Sequence, residues 1–227
     1  MDKAVVLLSG GLDSVTLLHY VRQRLATREI HALTFSYGQR HVREVEAARW
    51  QARAAGVAVH CETPVPGLGV WTAHCSALTS ATAAVPRLED LSPSEKQQPP
   101  TYVPNRNMVF LALAAAYAES VGVTDVFYGA QAQDAYGYWD CSVDFVARMN
   151  SVLALNRGRP VVIHAPFVDK SKAEILRIGF VLKVDYAHTW SCYCGAAKPC
   201  GVCPTCVERA RAFAAVGLQD PLECSTE

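Results

Sequence analysis

The pattern of apolar and polar positions breaks first, and most abruptly, near the start of the chain. Residues 4–8, AVVLL, carry no polar alternation and then give way to Ser9-Gly10-Gly11-Leu12-Asp13-Ser14. An apolar run without alternation reads as a strand covered on both faces, as in a parallel sheet flanked by helices. Apolar residues at helical spacing follow from Val15 to Leu25, and Ile30 to Tyr37 reads as a second strand. Val42 to Ala55 is a helix ended by Gly56, and Val57 to Cys61 a third strand. From Pro64 to Pro104 the pattern stops: seven prolines and many small polar residues predict a structureless insertion, a lid or a disordered segment that is mobile without substrate. Regularity resumes with a strongly apolar helix from Met108 to Val121, capped by Asn105 or Asn107 and buried on most sides. Then come a strand (Asp125–Ala130), an amphipathic helix (Cys141–Asn156), a strand (Pro160–Phe167), a helix (Ser171–Leu182) and a last helix (Val207–Val216) closed by Gly217. Strands alternating with helices at this spacing predict right-handed crossovers, a parallel sheet, and ligand at the carboxyl ends of the strands.

Composition narrows this picture. A length of 227 residues, 51% of them apolar, suits one α/β domain with an appendage. Lys and Arg number 21, as do Asp and Glu, so there is no global charge footprint for nucleic acid, and none is expected as a partner. No apolar run reaches bilayer length, and Met1-Asp2-Lys3 leads straight into the first strand, so the expectation is a cytoplasmic chain with no signal peptide and no membrane partner. Nine cysteines, an odd number, fit a reduced compartment with a metal site better than a disulfide framework.

Four stretches carry candidate chemistry. In the first, Gly10 and Gly11 permit close backbone approach, and the amides of the turn add to the positive end of the following helix, making an anion cradle. The loop lacks the lysine of the GxxxxGK[ST] type, which favours reaction at an α-phosphate with pyrophosphate leaving. In the second, Tyr37-Gly38-Gln39-Arg40-His41 follows the second strand, and Arg40 can pair bidentately with phosphate or carboxylate. In the third, Gly129 to Asp134 and Tyr136 to Cys141 interleave aromatics with carboxylates, which suits a stacked planar heterocycle or a protein interface. In the fourth, Lys170-Ser171-Lys172 offers a lysine to a leaving phosphate. The tail holds Cys192, Cys194, Cys200, Cys203 and Cys206. Its two-residue gaps let thiolates converge on a zinc ion, with an iron–sulfur cluster as the rival and with Cys192 and Cys194 competing for the fourth position.

Taken together and in order, SGGLDS, YGQRH, VPNRN, GYWDC, TWSCY and CGVCPTC resemble the 7-cyano-7-deazaguanine synthases, the QueC family within the ATP pyrophosphatases. The resemblance implies a Rossmann-like adenine nucleotide α-hydrolase fold over 1–189, with the insertion at 64–104, and a zinc-binding tail over 190–227. It implies ATP, Mg²⁺ and Zn²⁺ as cofactors, 7-carboxy-7-deazaguanine and ammonia as substrates, and a homodimer. ATP is assigned to the stretch Leu8, Ser9, Gly10, Gly11, Leu12, Asp13, Ser14, Val15 and Thr16, together with Arg106. Tyr37, Gln39, Arg40, His41, Asp134, Tyr138 and Asp140 are assigned to the deazaguanine, Asp13, Arg40 and Lys170 to catalysis, and Cys192, Cys200, Cys203 and Cys206 to zinc. The chain departs from the family pattern at Ser36, Asn105, Trp139 and Ser142, where aspartate, glycine, proline and arginine are usual. These departures, together with the long insertion, which could admit a macromolecule, raise an alternative, a QueC-like enzyme of anti-phage defence that joins the activated deazaguanine to an amine of a partner protein.

Overall fold

The computed structural model describes residues 1–40, 43–132, 134 and 137–222. Five parallel strands, β1 (Lys3–Leu7), β2 (Glu29–Ser36), β3 (Val59–Pro64), β4 (Asp125–Phe127) and β5 (Val162–His164), lie in the order β3-β2-β1-β4-β5. The chain therefore winds outward from β1 in one direction and then crosses it to build the other half, which opens a crevice beyond the carboxyl end of β1. The unalternating run at β1 has the predicted cause. Ala4, Val6 and Leu8 point into one core and Val5 into the other.

On the first face lie α1 (Leu12–His19), α2 (Arg43–Ala54), α7 (Lys172–Val181) and α8 (Pro204–Ala215), packed through Leu17, Leu18, Ala48, Ile175, Leu176 and Phe213. On the second lie α5 (Arg106–Ser120) and α6 (Val143–Leu153), packed through Phe110, Leu111, Ala114 and Phe145. Phe35 of β2 stacks on Phe110 with ring centroids 4.4 Å apart. No helix among the described residues is long and apolar enough to cross a membrane.

Three expectations are corrected. The helix after the phosphate loop begins at Leu12 and passes at Tyr20–Arg24 into a wider π-type turn, whose Arg22 is held by the carbonyls of Ala55, Thr27 and Arg28. Neither Asn105 nor Asn107 caps α5 with its side chain. Asn105 instead takes a left-handed backbone, φ 57°, which is why glycine is usual there and why asparagine substitutes for it. The helix also leaves Met108 and Leu113 exposed, so it is buried along one side only.

The insertion is more ordered than its composition predicts. It contains α3 (Pro66–Thr72) and α4 (Pro93–Gln97), the latter closed by a capping box between Ser92 and Glu95. Leu68, Leu78 and Val103 enter the second core, and Leu88 N donates to Val202 O in the tail. A few apolar residues scattered among prolines have no periodicity to read, yet they suffice to anchor the loop once the core is there to receive them.

The tail is tied to the domain by Arg209. Its guanidinium is almost fully buried, pairs with both oxygens of Asp220 (2.7 and 2.9 Å) and donates to Thr189 Oγ1 (2.7 Å) and Tyr186 O (3.2 Å). Replacing one partner of a buried pair strands the other. Arg209→Ala is expected to lower the unfolding free energy by about 3 kcal/mol or more, measured by denaturant titration.

Candidate active site and cysteine centre

A cavity of about 230 Å³ sits at the carboxyl ends of β1, β2 and β4. Its floor is the phosphate loop. Gly10 has φ 89°, and a Cβ there would overlap the Glu44 carbonyl, so glycine is required both for the turn and for the approach of α2. Ser9 Oγ accepts from Gly11 N–H (3.2 Å) and lies 2.9 Å from Ser14 Oγ, which donates to Gly11 O (3.1 Å). The donors of the loop are thus turned on its own hydroxyls.

Of the residues assigned to ATP and substrate, Leu8, Ser9, Gly11, Leu12, Asp13, Ser14, Tyr37, Gln39, Arg106 and Asp134 line this cavity. Others serve it from outside. Gly10 makes the turn, Val15 is core, and the Thr16 hydroxyl donates to Leu12 O (2.8 Å) against Tyr186. Arg40 donates to the carbonyls of Ser80 and Ala83 and so fastens the insertion rather than facing the loop. Tyr138 OH pairs with Thr101 Oγ1 (2.8 Å), another insertion contact. Asp140, buried behind the wall, accepts from Asn107 N (3.1 Å), and its Oδ1 has no partner. His41 lies outside the described residues.

Lys170 is placed away from the cavity, paired with Asp169 at 3.1 Å, whereas Lys172 reaches in. The cause is local: Ser171 caps α7 in a capping box with Glu174, which makes Lys172 the first helical residue and turns it toward the loop. The S-x-x-E spacing carried this signal in the sequence. Lys172 Nζ lies 3.6 Å from Asp13 Oδ2 and 3.3 Å from Glu208 Oε2. Burial opposes its charge, but Asp13, Asp134 and Glu208 outweigh that and hold the ammonium above its ordinary pKa.

Burial raises the Asp13 carboxyl, with Lys172 pulling the other way, and the Asp13 Oδ1 is buried without a partner. Burial also pushes Asp134 up to about 7, and the neighbouring Asp13 and Glu208 add to the effect. The opposite end of the cavity is aromatic and polar: Phe35, Tyr37, Phe110, Tyr128 and Tyr193 surround Arg106, whose Nη1 donates to Tyr37 OH at 3.4 Å. Trp190, Ser191, Tyr193 and Thr205 also line the cavity. Trp190, Ser191 and Tyr193 belong to the TWSCY string, but nothing in their residue types points to the cavity, and the one mark of Thr205 is its proximity to the cysteines.

The thiol sulfurs of Cys192, Cys200, Cys203 and Cys206 all lie within 4.8 Å of one another, a group that could hold a metal ion. Exposed Cys194 is outside it. Backbone N–H groups of Cys194 and Cys200 donate to Cys192 Sγ (3.4 and 3.3 Å), and Cys203 N–H donates to Cys200 Sγ (3.3 Å). Cys203 and Cys206 sit at the positive end of α8. These donors favour thiolates, the form a metal requires.

Ser36, Asn105, Trp139 and Ser142 stand apart from the cavity lining. Ser36 is exposed at the end of β2. Trp139 Nε1 donates to Tyr102 OH, and Ser142 caps α6 through Phe145 N.

The sheet order and the SGGLDS loop define a fold of the ATP pyrophosphatase type. Solved structures with the same fold include the U34-tRNA thiolase NcsA of Methanococcus maripaludis with its [4Fe-4S] cluster, at TM-score 0.51 and 12% identity over 94% of this chain and 64% of that one. Another is the NMN synthetase of Francisella tularensis, at TM-score 0.50 and 14% identity over 95% of this chain and 77% of that one. Within that class, a protein-family model described as queuosine biosynthesis protein QueC matches residues 3–217, and the chain belongs to this family. It is 46% identical to the 7-cyano-7-deazaguanine synthase of Chromohalobacter salexigens, over 97% of this chain and 85% of the relative. The enzyme of the same name from Archaeoglobus fulgidus is 44% identical, over 97% and 89%, and that from Clostridium kluyveri 40% identical over the full length of both.

The raised pKa of Asp134 sets a pH dependence. The folded carboxyl holds its proton up to about pH 7, while the unfolded one releases it near the ordinary value of 3.8, so between those limits the folded state binds more protons. Stability from this group is full below the lower limit and lost as pH rises through the upper one. Asp134→Asn should therefore gain in melting temperature over the wild type as pH rises from about 4 to about 7 and gain no more above that, in thermal melts across the range.

Proposed function

We propose that the chain catalyses the ATP-dependent conversion of 7-carboxy-7-deazaguanine to 7-cyano-7-deazaguanine, with cleavage of ATP to AMP and pyrophosphate. The observation that carries this reading is a single cavity that joins the SGGLDS loop and Lys172 to an aromatic end, in a chain 40–46% identical to synthases of that name. The substrate carboxylate attacks the α-phosphorus, giving an acyl-adenylate and pyrophosphate. Ammonia displaces AMP and loses a proton to leave the amide. The amide oxygen then attacks the α-phosphorus of a second ATP, releasing a second pyrophosphate, and loss of AMP with both amide protons leaves the nitrile.

The residues supply charge and position rather than a covalent nucleophile. The amides of Gly11 and the turn, with the Ser9 and Ser14 hydroxyls, hold the phosphates, and Lys172 neutralises the charge that grows on the leaving pyrophosphate. Asp13 and Glu208 keep that ammonium charged and restrained between turnovers. The flat deazaguanine suits the ring-lined end, where Arg106 and Asn107 offer donors to its carbonyl edge. Asp13, with its unpartnered buried Oδ1, fits Mg²⁺ held beside the phosphates. That ion when bound adds further charge neutralisation.

The four cysteines fit zinc. Zn–S bonds of about 2.3 Å put tetrahedral sulfurs about 3.8 Å apart, close to the spread of 4.8 Å or less seen here, whereas a cubane cluster holds its thiolates farther apart. Four protein ligands leave no position for water, so the role is structural. Apolar side chains exposed on α5 (Met108, Leu113) and α6 (Val143, Val152) support a homodimer. A protein acceptor, which the long insertion also suggested, loses the motive drawn from Ser36, Asn105, Trp139 and Ser142, because these lie off the cavity lining.

Incubation with 7-carboxy-7-deazaguanine, ATP, Mg²⁺ and ammonia should give nitrile with AMP and pyrophosphate by mass spectrometry; amide that never proceeds to nitrile would sink the proposal. In the same assay Lys172→Met should lose about 100-fold or more in kcat, and Lys170→Met should stay close to wild type. Metal analysis should find one zinc per chain, retained in Cys194→Ser and lost or weakened in Cys192→Ser.

A further inference from the structure

The cysteine centre and the phosphate loop are joined by one backbone hydrogen bond. Trp190 N–H donates to the carbonyl of Gly10 at 2.9 Å. A trans peptide is planar, with its C=O and N–H pointing in opposite directions, so whatever holds the Gly10 carbonyl also aims the Gly11 N–H. That N–H points away from Trp190 toward Ser9 Oγ, at the cavity. It belongs to the set of donors that an anion would take over from the serine hydroxyls.

Trp190 is in turn fixed by the cysteine segment. Its ring packs among Cys192, Cys203 and Cys206, its Nε1 donates to Cys192 O (2.9 Å), and Arg43 lies over its face at 5.2 Å. The next residue is held from α8, where Thr205 Oγ1 donates to Ser191 O (2.7 Å). The anchors of residues 190–193 thus come largely from the four ligand positions and their immediate neighbours. Thr189 has a separate anchor in Arg209, which also reaches Ser191 Oγ at 3.5 Å, both independent of any metal. Loss of the metal would loosen the hold on Trp190 and Cys192 while leaving the Arg209 lock in place.

We propose that the four-cysteine centre positions the phosphate loop: through Cys192 and Trp190 it fixes the Gly10–Gly11 peptide in the orientation that offers the Gly11 amide to the pyrophosphate of ATP. Trp190 is a positioning residue that acts through its backbone N–H and touches the loop rather than the reacting atoms. The inference rests on the reading of the loop as the ATP phosphate site and of the cysteines as a zinc site. It makes metal loading a condition for binding phosphates, beyond holding the tail together.

Calorimetric binding of inorganic pyrophosphate with Mg²⁺, and of adenosine, tests this in the whole chain with and without zinc. Removing zinc under reducing conditions should weaken pyrophosphate at least about tenfold and leave adenosine nearly unchanged, with recovery on adding zinc back. A second arm keeps the metal. Trp190→Pro removes the donor N–H at a position whose preceding residue, Thr189 (φ −128°, ψ 157°), already accepts a following proline, while Trp190→Phe retains the N–H. The proline variant should hold its zinc and lose pyrophosphate affinity by a similar factor, and the phenylalanine variant should bind close to wild type. Wild-type pyrophosphate affinity in a folded zinc-free chain, or in zinc-loaded Trp190→Pro, overturns the proposal. If either preparation fails to fold by circular dichroism, the other decides, and collapse of both overturns it by making the centre a staple for the entire chain. Failure of the zinc-loaded wild type to bind pyrophosphate at all would instead count against the phosphate role of the loop.

Discussion

The constraint on which this structure turns is the close approach at Gly10. The end of β1, the start of α1, the backbone of α2 and the cysteine tail all meet there, and the absence of one Cβ permits it. A side chain at Gly10 would collide with the backbone of α2 at Glu44 and Ala48 and push the helix off the sheet, costing the first core Ala48 and Ala52. The same point serves chemistry. With no side chain at Gly10 or Gly11, the turn can offer its amides beside the Ser9 and Ser14 hydroxyls, which suits a polyanion.

Around that turn, charges are arranged to be strong because they are sheltered. Lys172 stands among Asp13, Asp134 and Glu208 in a site where burial penalises its own charge and those of Asp13 and Asp134. The carboxylates keep the lysine charged, and the lysine limits how far burial raises Asp13 and Asp134. Such a cluster is primed for a ligand with several negative charges, whose arrival gives Lys172 a better partner than the carboxylates provide.

The long proline-rich insertion and the cysteine tail look separate from this chemistry along the chain, yet both are tied to the segments around it. Arg40, next to the cavity-lining Gln39, and Tyr138 fasten the insertion, and Leu88 links it to the tail. Glu208, Thr205 and Tyr193 bring the tail to the cavity itself. Under the proposed reaction, which passes through an acyl-adenylate, such walls would help keep out water as a competing nucleophile.

The sequence by itself determined the β1–loop–α1 unit, the parallel sheet and the family, because unbroken apolar runs, glycine turns and helix stops are local signals that depend on near neighbours. It also carried the cysteine spacing, but not which of Cys192 and Cys194 joins the group; that depended on where the chain between them turned. The Ser171–Glu174 capping spacing likewise marked Lys172 as the first residue of its helix, whereas only tertiary packing decided that Arg40 faces the insertion. It also decided that Trp190 reaches Gly10 across 180 residues of sequence. The reason is physical. Helix and strand periods are written over a few residues, whereas the aim of a side chain and the partner of a lone N–H are fixed only when distant segments are packed together.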